Sequence, residues 1–240
     1  MPKQSKRLSA LKAQVDRNHR YTPNEAFTSV KELASANFDE SIDVAVRLGV
    51  NPRHADQMVR GACSLPHGTG KGVKVLVFAE GEAASVATEA GADFVGSDDL
   101  ISKIKGENWV DFDKTIATRK MMPKLAKELG RFLGPRGLMP NPKIGTVVEA
   151  DQMAETVQAL KKGQIDFRVD KAGIIHVSIG RQSMEATALE ENFLSLLKTL
   201  IGLKPASAKG AYIKSITVSS TMGPGLKLDV AEATRQAEGV

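Results

Sequence analysis

The pattern of apolar residues changes twice along this chain of 240 residues, and the change limits the folds available to it. Val73–Phe78 is a continuous apolar run, typical of a strand covered on both faces. The segments after it alternate between short strands and helices, which indicates a parallel α/β domain. Before about residue 67 and after about residue 160, apolar residues instead alternate with polar ones, as in an antiparallel sheet with one exposed face. The sequence therefore predicts a discontinuous α+β domain at 1–67 and 160–240, interrupted by an α/β domain inserted at 68–159.

The predicted α+β domain contains an antiparallel sheet with helices packed against it. Alternation predicts the strands Ile42–Leu48, Ile165–Val169, Gly173–Ile179 and Tyr212–Val218. The second and third are expected to form a hairpin that turns at 170–173. Thr22, Pro23 and Glu25 form the sequence signature of a capping box and predict the start of a helix. A second amphipathic helix is predicted at Glu190–Ile201.

Glycine and proline mark the two junctions between the predicted domains. Pro66, Gly68 and Gly70 lie in the densest cluster of such residues, and Gly163 follows the helix that ends the insert. We predict hinges at these four residues. A phosphate-binding glycine loop is the weaker alternative at 68–72, because such a loop follows a strand and opens a helix, whereas this cluster precedes a strand.

Positive charge is concentrated in the predicted α+β domain. Residues 1–67 and 160–240 together hold 21 Lys and Arg against 15 Asp and Glu, whereas residues 68–159 hold 12 against 13. Residues 1–20 contribute Lys3, Lys6, Arg7, Lys12, Arg17 and Arg20 against the single carboxylate Asp16. The sequence favours an anionic partner, and this N-terminal segment is equally consistent with a phosphate-binding arm or a solvated end.

Several classes of function are disfavoured by the composition. No apolar run reaches the roughly 18 residues of a membrane span, and no apolar core of a secretory signal follows the basic N-terminus. The single Cys63 excludes an intrachain disulfide, and the four histidines lack metal-ligand spacing. No catalytic arrangement is visible, so the sequence predicts a cytoplasmic protein that is not an enzyme and carries no cofactor or metal.

A polar motif, Ser219-Ser220-Thr221-Met222-Gly223-Pro224-Gly225, is predicted where the last strand leaves the sheet. Its hydroxyls are uncharged donors and acceptors, and Gly223 allows a partner to approach the backbone closely. Such a surface suits the sugars and phosphates of a folded RNA. An ordinary polar turn is the alternative interpretation.

A second motif runs from Arg131 to Gly145, within a locally basic segment of the otherwise neutral insert. Its glycines and prolines predict a loop held in one shape. Arg131, Arg136 and Lys143 would let this loop meet RNA phosphates or a tRNA. A structural loop on a basic face is about equally consistent with the pattern.

The motifs together resemble a known family. Leu133-Gly-Pro-Arg-Gly-Leu-Met-Pro-Asn-Pro-Lys143, Thr221-Met-Gly-Pro224, Phe38-Asp-Glu40 and Leu65-Pro-His-Gly68 are similar, in the same order, to segments of the bacterial family of large-subunit ribosomal protein one. The resemblance covers about Tyr21 to Leu228. It implies a split first domain with an inserted Rossmann-like, three-layer second domain.

The resemblance also implies partners and contact residues. The implied partners are 23S rRNA at the mobile ribosomal stalk, deacylated tRNA leaving the exit site, and the mRNA of the protein's own operon, which it would repress. The free protein is expected to be a monomer. The matching RNA-contact residues are Phe38, Asp39, Glu40, Arg53, Arg168, Asp170, Lys171, His176, Ser219, Ser220, Thr221, Met222 and Gly223.

Two other classes of function remain open from the residues alone. An enzyme would use the insert, with substrate at the strand ends near Gly81 or Gly96, although no titratable pair lies there. A regulatory repressor that does not belong to the ribosome is the other alternative.

Overall fold

The computed structural model describes residues 5–239 and divides into two compact units. The split unit contains the chain up to Lys71 and the chain from Ile165, and the inserted unit contains Gly72–Gln164. The predicted junctions at 67/68 and 159/160 lie a few residues before the unit boundaries at 71/72 and 164/165, and at the second boundary the helix continues to Lys161. Lys3 of the predicted basic segment lies outside the described residues.

The elements follow one another in three stretches. Before the insert they are α1 (Lys6–Ala13), α2 (Pro23–Leu33), β1 (Ser41–Leu48) and β2 (Arg60–Ser64). The insert contains β3 (Val75–Phe78), α3 (Glu82–Glu89), β4 (Phe94–Gly96), α4 (Asp98–Glu107), β5 (Lys114–Thr118), α5 (Met122–Leu133), β6 (Val147–Val148) and α6 (Ala150–Lys161). After it come β7 (Gln164–Arg168), β8 (Ile174–Arg181), α7 (Ala186–Gly202), β9 (Ile213–Ser220), β10 (Leu226–Lys227) and α8 (Val230–Gly239).

The split unit is built on an antiparallel sheet of four strands in the order β10-β9-β1-β8. Alternate residues of β1, from Ile42 to Leu48, are buried beneath α2, α7 and α8, and the rings of Phe27 and Phe193 lie 5.5 Å apart in this core. The intervening residues of β1 face away from the helices and are polar or small. One face of the sheet therefore stays open on this unit.

The predicted hairpin at 165–179 is wrong. β7 pairs with β2 in a separate sheet of two strands, and β8 pairs with β1. The turn itself is present, because the Asp170 N–H donates to the carbonyl of Ile174 at 2.8 Å. The two strands diverge beyond this turn because each pairs with a different strand.

The first long helix begins as its sequence predicts. The Thr22 hydroxyl accepts from the backbone N–H of Glu25, and the Glu25 carboxylate accepts from the N–H of Thr22, which completes the capping box. Pro23 occupies the first turn, where it needs no hydrogen-bond partner for its nitrogen. The buried face of α2 then packs beneath β9 and against α7.

The inserted unit has three layers around a parallel sheet in the order β4-β3-β5-β6. Every residue of β3 is buried, since its side chains alternate between two cores. Val75 and Val77 pack with α3 and α6, whereas Leu76 and Phe78 pack with α4 and α5. The predicted fold class, a split α+β unit interrupted by a Rossmann-like α/β unit, is confirmed.

Two helices of the split unit were not predicted. α1 lies within the segment expected to be a polar arm, and α8 forms the tail beyond Asp229. Ala233 and Ala237 of α8 are fully buried, and the helix packs on α7 and β9. Within residues 5–239 no helix is both long enough and apolar enough to span a membrane.

Candidate nucleic-acid interface

Three chain segments meet at one end of the split unit's sheet. Phe38–Ser41 lead into β1, Arg181–Ser183 leave β8, and Ser219–Gly223 leave β9. The antiparallel register brings them together, because Ser41 lies opposite Arg181 and Ile42 lies opposite Ser220. These three segments are called here the strand-end surface. β9 ends at Ser220 rather than at the predicted Val218, so Ser219 and Ser220 belong to the strand itself.

Glu40 is buried, which corrects its assignment to the RNA-contact surface. Its side chain has no exposed area, and its carboxylate accepts from the N–H groups of Met222 at 2.8 Å and Ala36 at 2.9 Å. Burial raises the pKa of Glu40, but these hydrogen bonds outweigh it and leave the pKa below its ordinary value. Glu40 therefore ties the loop before β1 to the turn after β9, and it does not face a ligand.

Ser220 is also buried, which corrects its assignment to the same surface. Its hydroxyl lies so close to Gly223 that a Cβ at position 223 would be 2.5 Å from it. The Gly223 N–H donates to the Ser220 carbonyl at 3.2 Å and closes the turn. Glycine at 223 is thus required by packing inside the protein.

Thr221 fixes this turn to the start of β1. Its hydroxyl accepts from the Ser41 N–H at 3.0 Å and donates to the Ser41 carbonyl at 3.3 Å, and its own N–H donates to that carbonyl at 3.0 Å. Of the three hydroxyl residues, Ser220 is buried, Ser219 lies on the open face, and Thr221 is exposed while its hydroxyl bonds to Ser41. The turn is consequently preorganised by contacts within the chain.

Two apolar side chains project from this ordered end of the sheet. Within residues 5–239 the exposed large apolar side chains are Phe38, Met222 and Leu203, at 54%, 48% and 41% relative exposure. Phe38 and Met222 lie on the two segments that Glu40 joins. Leu203 lies at the end of α7, next to β2, where a Cβ on Gly61 would be 3.0 Å from its Cδ1.

Asp39 orients polar groups at the end of β8. Its carboxylate accepts from the N–H of Ser183 at 3.1 Å and from the Ser183 hydroxyl at 2.9 Å, and it lies 3.5 Å from the Arg181 guanidinium. Burial raises the pKa of Asp39, but the Ser183 bonds and Arg181 outweigh it and lower the pKa. Arg181 and Ser183 were missed by the sequence reasoning, because only the β1–β8 register places them beside Asp39.

The open face of the sheet continues from this end. Asp43, His176, Ser178 and Ser219 line a shallow hollow of about 410 Å³ on β1, β8 and β9. Partial burial raises the pKa of Asp43, although the Ser178 hydroxyl and His176 oppose it. Asp43 was missed as well, because in the sequence it is one of several outward residues of a strand.

The remaining predicted contacts lie at the opposite end of the sheet. Arg53, Arg168, Asp170 and Lys171 line a cleft of about 720 Å³. The Asp170 carboxylate accepts from the N–H groups of Ala172 and Ile174, both at 2.8 Å, which lowers its pKa. With strands of 8 residues, this cleft and the strand-end surface are separated by roughly 23 Å of open sheet.

Comparison with known proteins decides the family. The profile of the Ribosomal protein L1p/L10e family matches residues 30–224, which include the strand-end surface, the open face and the cleft. The chain belongs to this family. Membership confirms the resemblance given by the motifs, and it places the chain among ribosomal proteins rather than enzymes. α1 and α8 lie outside the matched residues.

The chain is similar to curated L1 relatives over nearly its whole length. It is 56% identical over 224 residues to "Large ribosomal subunit protein uL1" of Bdellovibrio bacteriovorus, covering 93% of this chain and 94% of the relative. It is 52% identical over 233 residues to the protein of the same name from Chloroflexus aurantiacus, covering 97% of this chain and 98% of the relative.

In this L1-family chain, the basic residues predicted to face RNA or a tRNA lie on the inserted unit. Arg131 belongs to the last turn of α5, which corrects its assignment to a loop, and Arg136 and Lys143 follow in the connection to β6. All three are exposed. The connection is held by Asn141, whose N–H donates to the Thr146 hydroxyl at 2.8 Å and whose side chain accepts from Lys143 N–H at 2.9 Å.

The predicted hinge residues differ in how firmly they are held. The buried side chain of Asn192 on α7 accepts from the His67 N–H at 3.0 Å and donates to the carbonyls of Gly68 and Ile179, both at 2.9 Å. The segment 66–68 is thereby fixed to the split unit. Gly70 and Gly163 have positive φ angles of 69° and 106°, which glycine adopts without strain.

Cys63 is buried, as expected of an inert thiol. Within residues 5–239 no group of three His, Cys, Asp or Glu side chains is placed to hold a metal ion.

Proposed function

We propose that this protein is a structural constituent of the large ribosomal subunit and that its split unit binds large-subunit rRNA. Support comes from family membership and from relatives named as large-subunit proteins that align over nearly the whole chain. The RNA is expected to occupy the strand-end surface and the adjoining open face of the sheet. A cytoplasmic location within the ribosome follows from this assignment.

The observation that carries the proposal is the construction of the strand-end surface. Phe38 and Met222 are half exposed, yet the backbone beneath them is fixed by Glu40 and Thr221. A rigid surface of this kind binds by shape, since ordering its groups costs little at the moment of binding. Folded RNA presents sugars and unstacked bases that such side chains contact.

Charge supplies the second component of binding. The sequence segments 1–67 and 160–240 carry the excess of basic residues, and Arg53, Arg168 and Lys171 lie together at the cleft. Contacts to phosphates release counterions and make the affinity fall as salt increases. The strand-end surface then selects the RNA by its shape, while the cleft strengthens binding without selecting a sequence.

The matched variants Met222→Ala and Leu203→Ala test this assignment. Burial of the exposed half of Met222 against RNA contributes roughly 1 kcal/mol, so Met222→Ala is expected to weaken binding about fivefold. Leu203→Ala removes a similarly exposed side chain away from the proposed site and is expected to leave the affinity unchanged. Filter binding to a bacterial large-subunit rRNA transcript measures both. Equal affinities of the two variants would reject the site.

A finer role concerns tRNA. The exposed residues Arg131, Arg136 and Lys143 form a basic group on the inserted unit, and we propose that it contacts deacylated tRNA leaving the ribosomal exit site. Replacing all three by Gln is expected to slow release of deacylated tRNA from ribosomes reconstituted with the variant. Slowed release with unchanged rRNA affinity would distinguish this role from rRNA binding, and an unchanged release rate would reject it.

Repression of the protein's own operon mRNA is a further part of the proposal. It is supported by the family resemblance, and it requires that the mRNA use the same strand-end surface. Met222→Ala should then relieve repression of a reporter that carries the operon leader, whereas Leu203→Ala should not. The free protein is proposed to be a monomer, which sedimentation equilibrium tests.

Movement of the two units is also proposed. Because Asn192 holds residues 66–68, the pivots are assigned to Gly70–Gly72 on one side and Gly163 on the other. Förster transfer between labels on the two units is expected to report a distribution of distances. A single fixed distance in the free and the RNA-bound protein would contradict the hinge.

A further inference from the structure

Helix α1 is attached to the split unit by few contacts. None of its residues is buried, and only Leu11 and the following Val15 pack against the core. Ser5 caps the helix by accepting from the Leu8 N–H at 3.3 Å. A helix of 8 residues has little stability by itself, so its position depends on the contacts it makes with the rest of the unit.

The contacts that place α1 lead to the strand-end surface. The Arg7 guanidinium donates to the Ser35 hydroxyl at 2.9 Å and to the Met222 carbonyl at 3.3 Å. Ser35 lies on the loop before β1 and Met222 on the turn after β9, the same two segments that Glu40 joins from below. One exposed cation thus lies across both segments, beside the half-exposed Met222 side chain.

The charges of α1 oppose what helix stability favours. Lys6 and Arg7 occupy its first turn, where the helix dipole favours Asp or Glu, and that turn contains no acidic residue. Lys12 adds a third positive charge in the last turn, where the dipole favours it, and the sequence from Ser5 to Val15 contains no Asp or Glu. Uncompensated basic residues in the first turn are consistent with an anionic partner outside the chain.

We propose that α1 is an additional RNA-contacting element, in which Arg7 binds a backbone phosphate of the RNA that covers Met222. This inference rests on the proposed rRNA-binding function. A guanidinium carries five N–H donors in a planar fork, so it can hold the Ser35 hydroxyl and the Met222 carbonyl and still offer the remaining donors to a phosphate. The family profile begins at residue 30, so α1 extends the site beyond the matched residues.

The test compares Arg7→Gln with Arg235→Gln in the full-length protein. Arg235 is exposed on α8, which packs on the helix-covered side of the unit, and the control removes the same charge there. Binding to a bacterial large-subunit rRNA transcript is measured at several salt concentrations. Arg7→Gln is expected to weaken binding about tenfold at low salt and to reduce the slope of log K against log salt by about 0.7–0.9. Arg235→Gln is expected to leave affinity and slope nearly unchanged.

Arg7→Lys separates contact from positioning, because it keeps the charge and loses the fork. Recovery of the salt slope by Arg7→Lys supports a phosphate contact. If Arg7→Gln and Arg7→Lys lose affinity equally with the wild-type slope, Arg7 only positions the turn and the proposal is overturned. Wild-type affinity of Arg7→Gln, or equal losses in Arg7→Gln and Arg235→Gln, overturns it as well. Failure of the wild-type protein to bind the transcript would instead reject the rRNA-binding function itself.

Discussion

Glu40→Gln is the substitution that most sharply tests how the strand-end surface is built. The wild-type carboxylate is fully buried and accepts two backbone hydrogen bonds, from Met222 at 2.8 Å and Ala36 at 2.9 Å. Glutamine has nearly the same shape, but its amide presents one oxygen and one NH2 group. One of the two backbone N–H groups must then face a donor and lose its partner.

The expected cost follows from these two contacts. A hydrogen bond to a charged acceptor contributes about 1.5–3 kcal/mol, and a buried donor left without a partner costs a similar amount. We expect Glu40→Gln to lower the free energy of unfolding by about 2 kcal/mol, which corresponds to a fall in Tm of roughly 4–8 °C for a unit of this size. RNA affinity should also fall, because the Met222 turn loses its anchor, although Glu40 does not touch the RNA.

The stability that the Glu40 carboxylate contributes depends on pH. Because the folded-state pKa of Glu40 lies below its ordinary value of 4.5, the carboxylate stabilises the fold above about pH 4.5, and this stabilisation is lost as the pH falls through the lowered pKa. Thermal unfolding of wild type and Glu40→Gln should therefore differ at pH 7 and converge at strongly acidic pH. Glu238→Gln, at an exposed position on α8, serves as the control. Equal Tm values for Glu40→Gln and wild type at pH 7 would show that the buried carboxylate does not hold the two segments together.

Three further substitutions probe neighbouring features. Burial raises the pKa of Asp43, so Asp43→Asn should raise the Tm at pH 7, with no difference from wild type once the pH is well below 3.8. Gly223→Ala places a Cβ 2.5 Å from the Ser220 hydroxyl and should lower both Tm and RNA affinity. Gly202→Ala, at the end of α7 with open space around the added Cβ, should leave the affinity unchanged and should not lower the Tm. Asn192→Leu leaves three backbone groups without their partner and should cost about 3 kcal/mol in urea-induced unfolding.

Much of the fold follows from local patterns in the sequence. The alternation in Ile42–Leu48 and the apolar run in Val73–Phe78 identify a sheet exposed on one face and a sheet covered on both. The capping box at Thr22 fixes a helix start by local chemistry alone. Such features depend on neighbours within a few residues, so they can be predicted without tertiary information.

The errors arise where distant residues decide the structure. The strands at 164–168 and 174–181 look like a hairpin locally, yet β2 and β1 offer each of them a different partner. α8 is short and weakly apolar, and only the surface provided by α7 and β9 accounts for the burial of Ala233 and Ala237. The sequence pattern of these segments shows neither the strands with which they pair nor the surface that covers α8.

The candidate site shows the same division. Phe38 and Met222 were expected at a ligand surface, and both side chains are exposed. Glu40 and Ser220 belong to the same motifs, but their burial depends on the pairing of β1 with β9, which lie far apart in the sequence. A motif therefore identifies the segment, whereas the tertiary structure determines which of its residues face outward and which support them.

Ultraviolet cross-linking of the intact protein to a bacterial large-subunit rRNA transcript can locate the RNA on the strand-end surface. Mass spectrometry of the cross-linked peptides is expected to find RNA attached to the peptides that contain Phe38 and Met222, with none at Leu203. Cross-links confined to the inserted unit would contradict an RNA site at the strand-end surface.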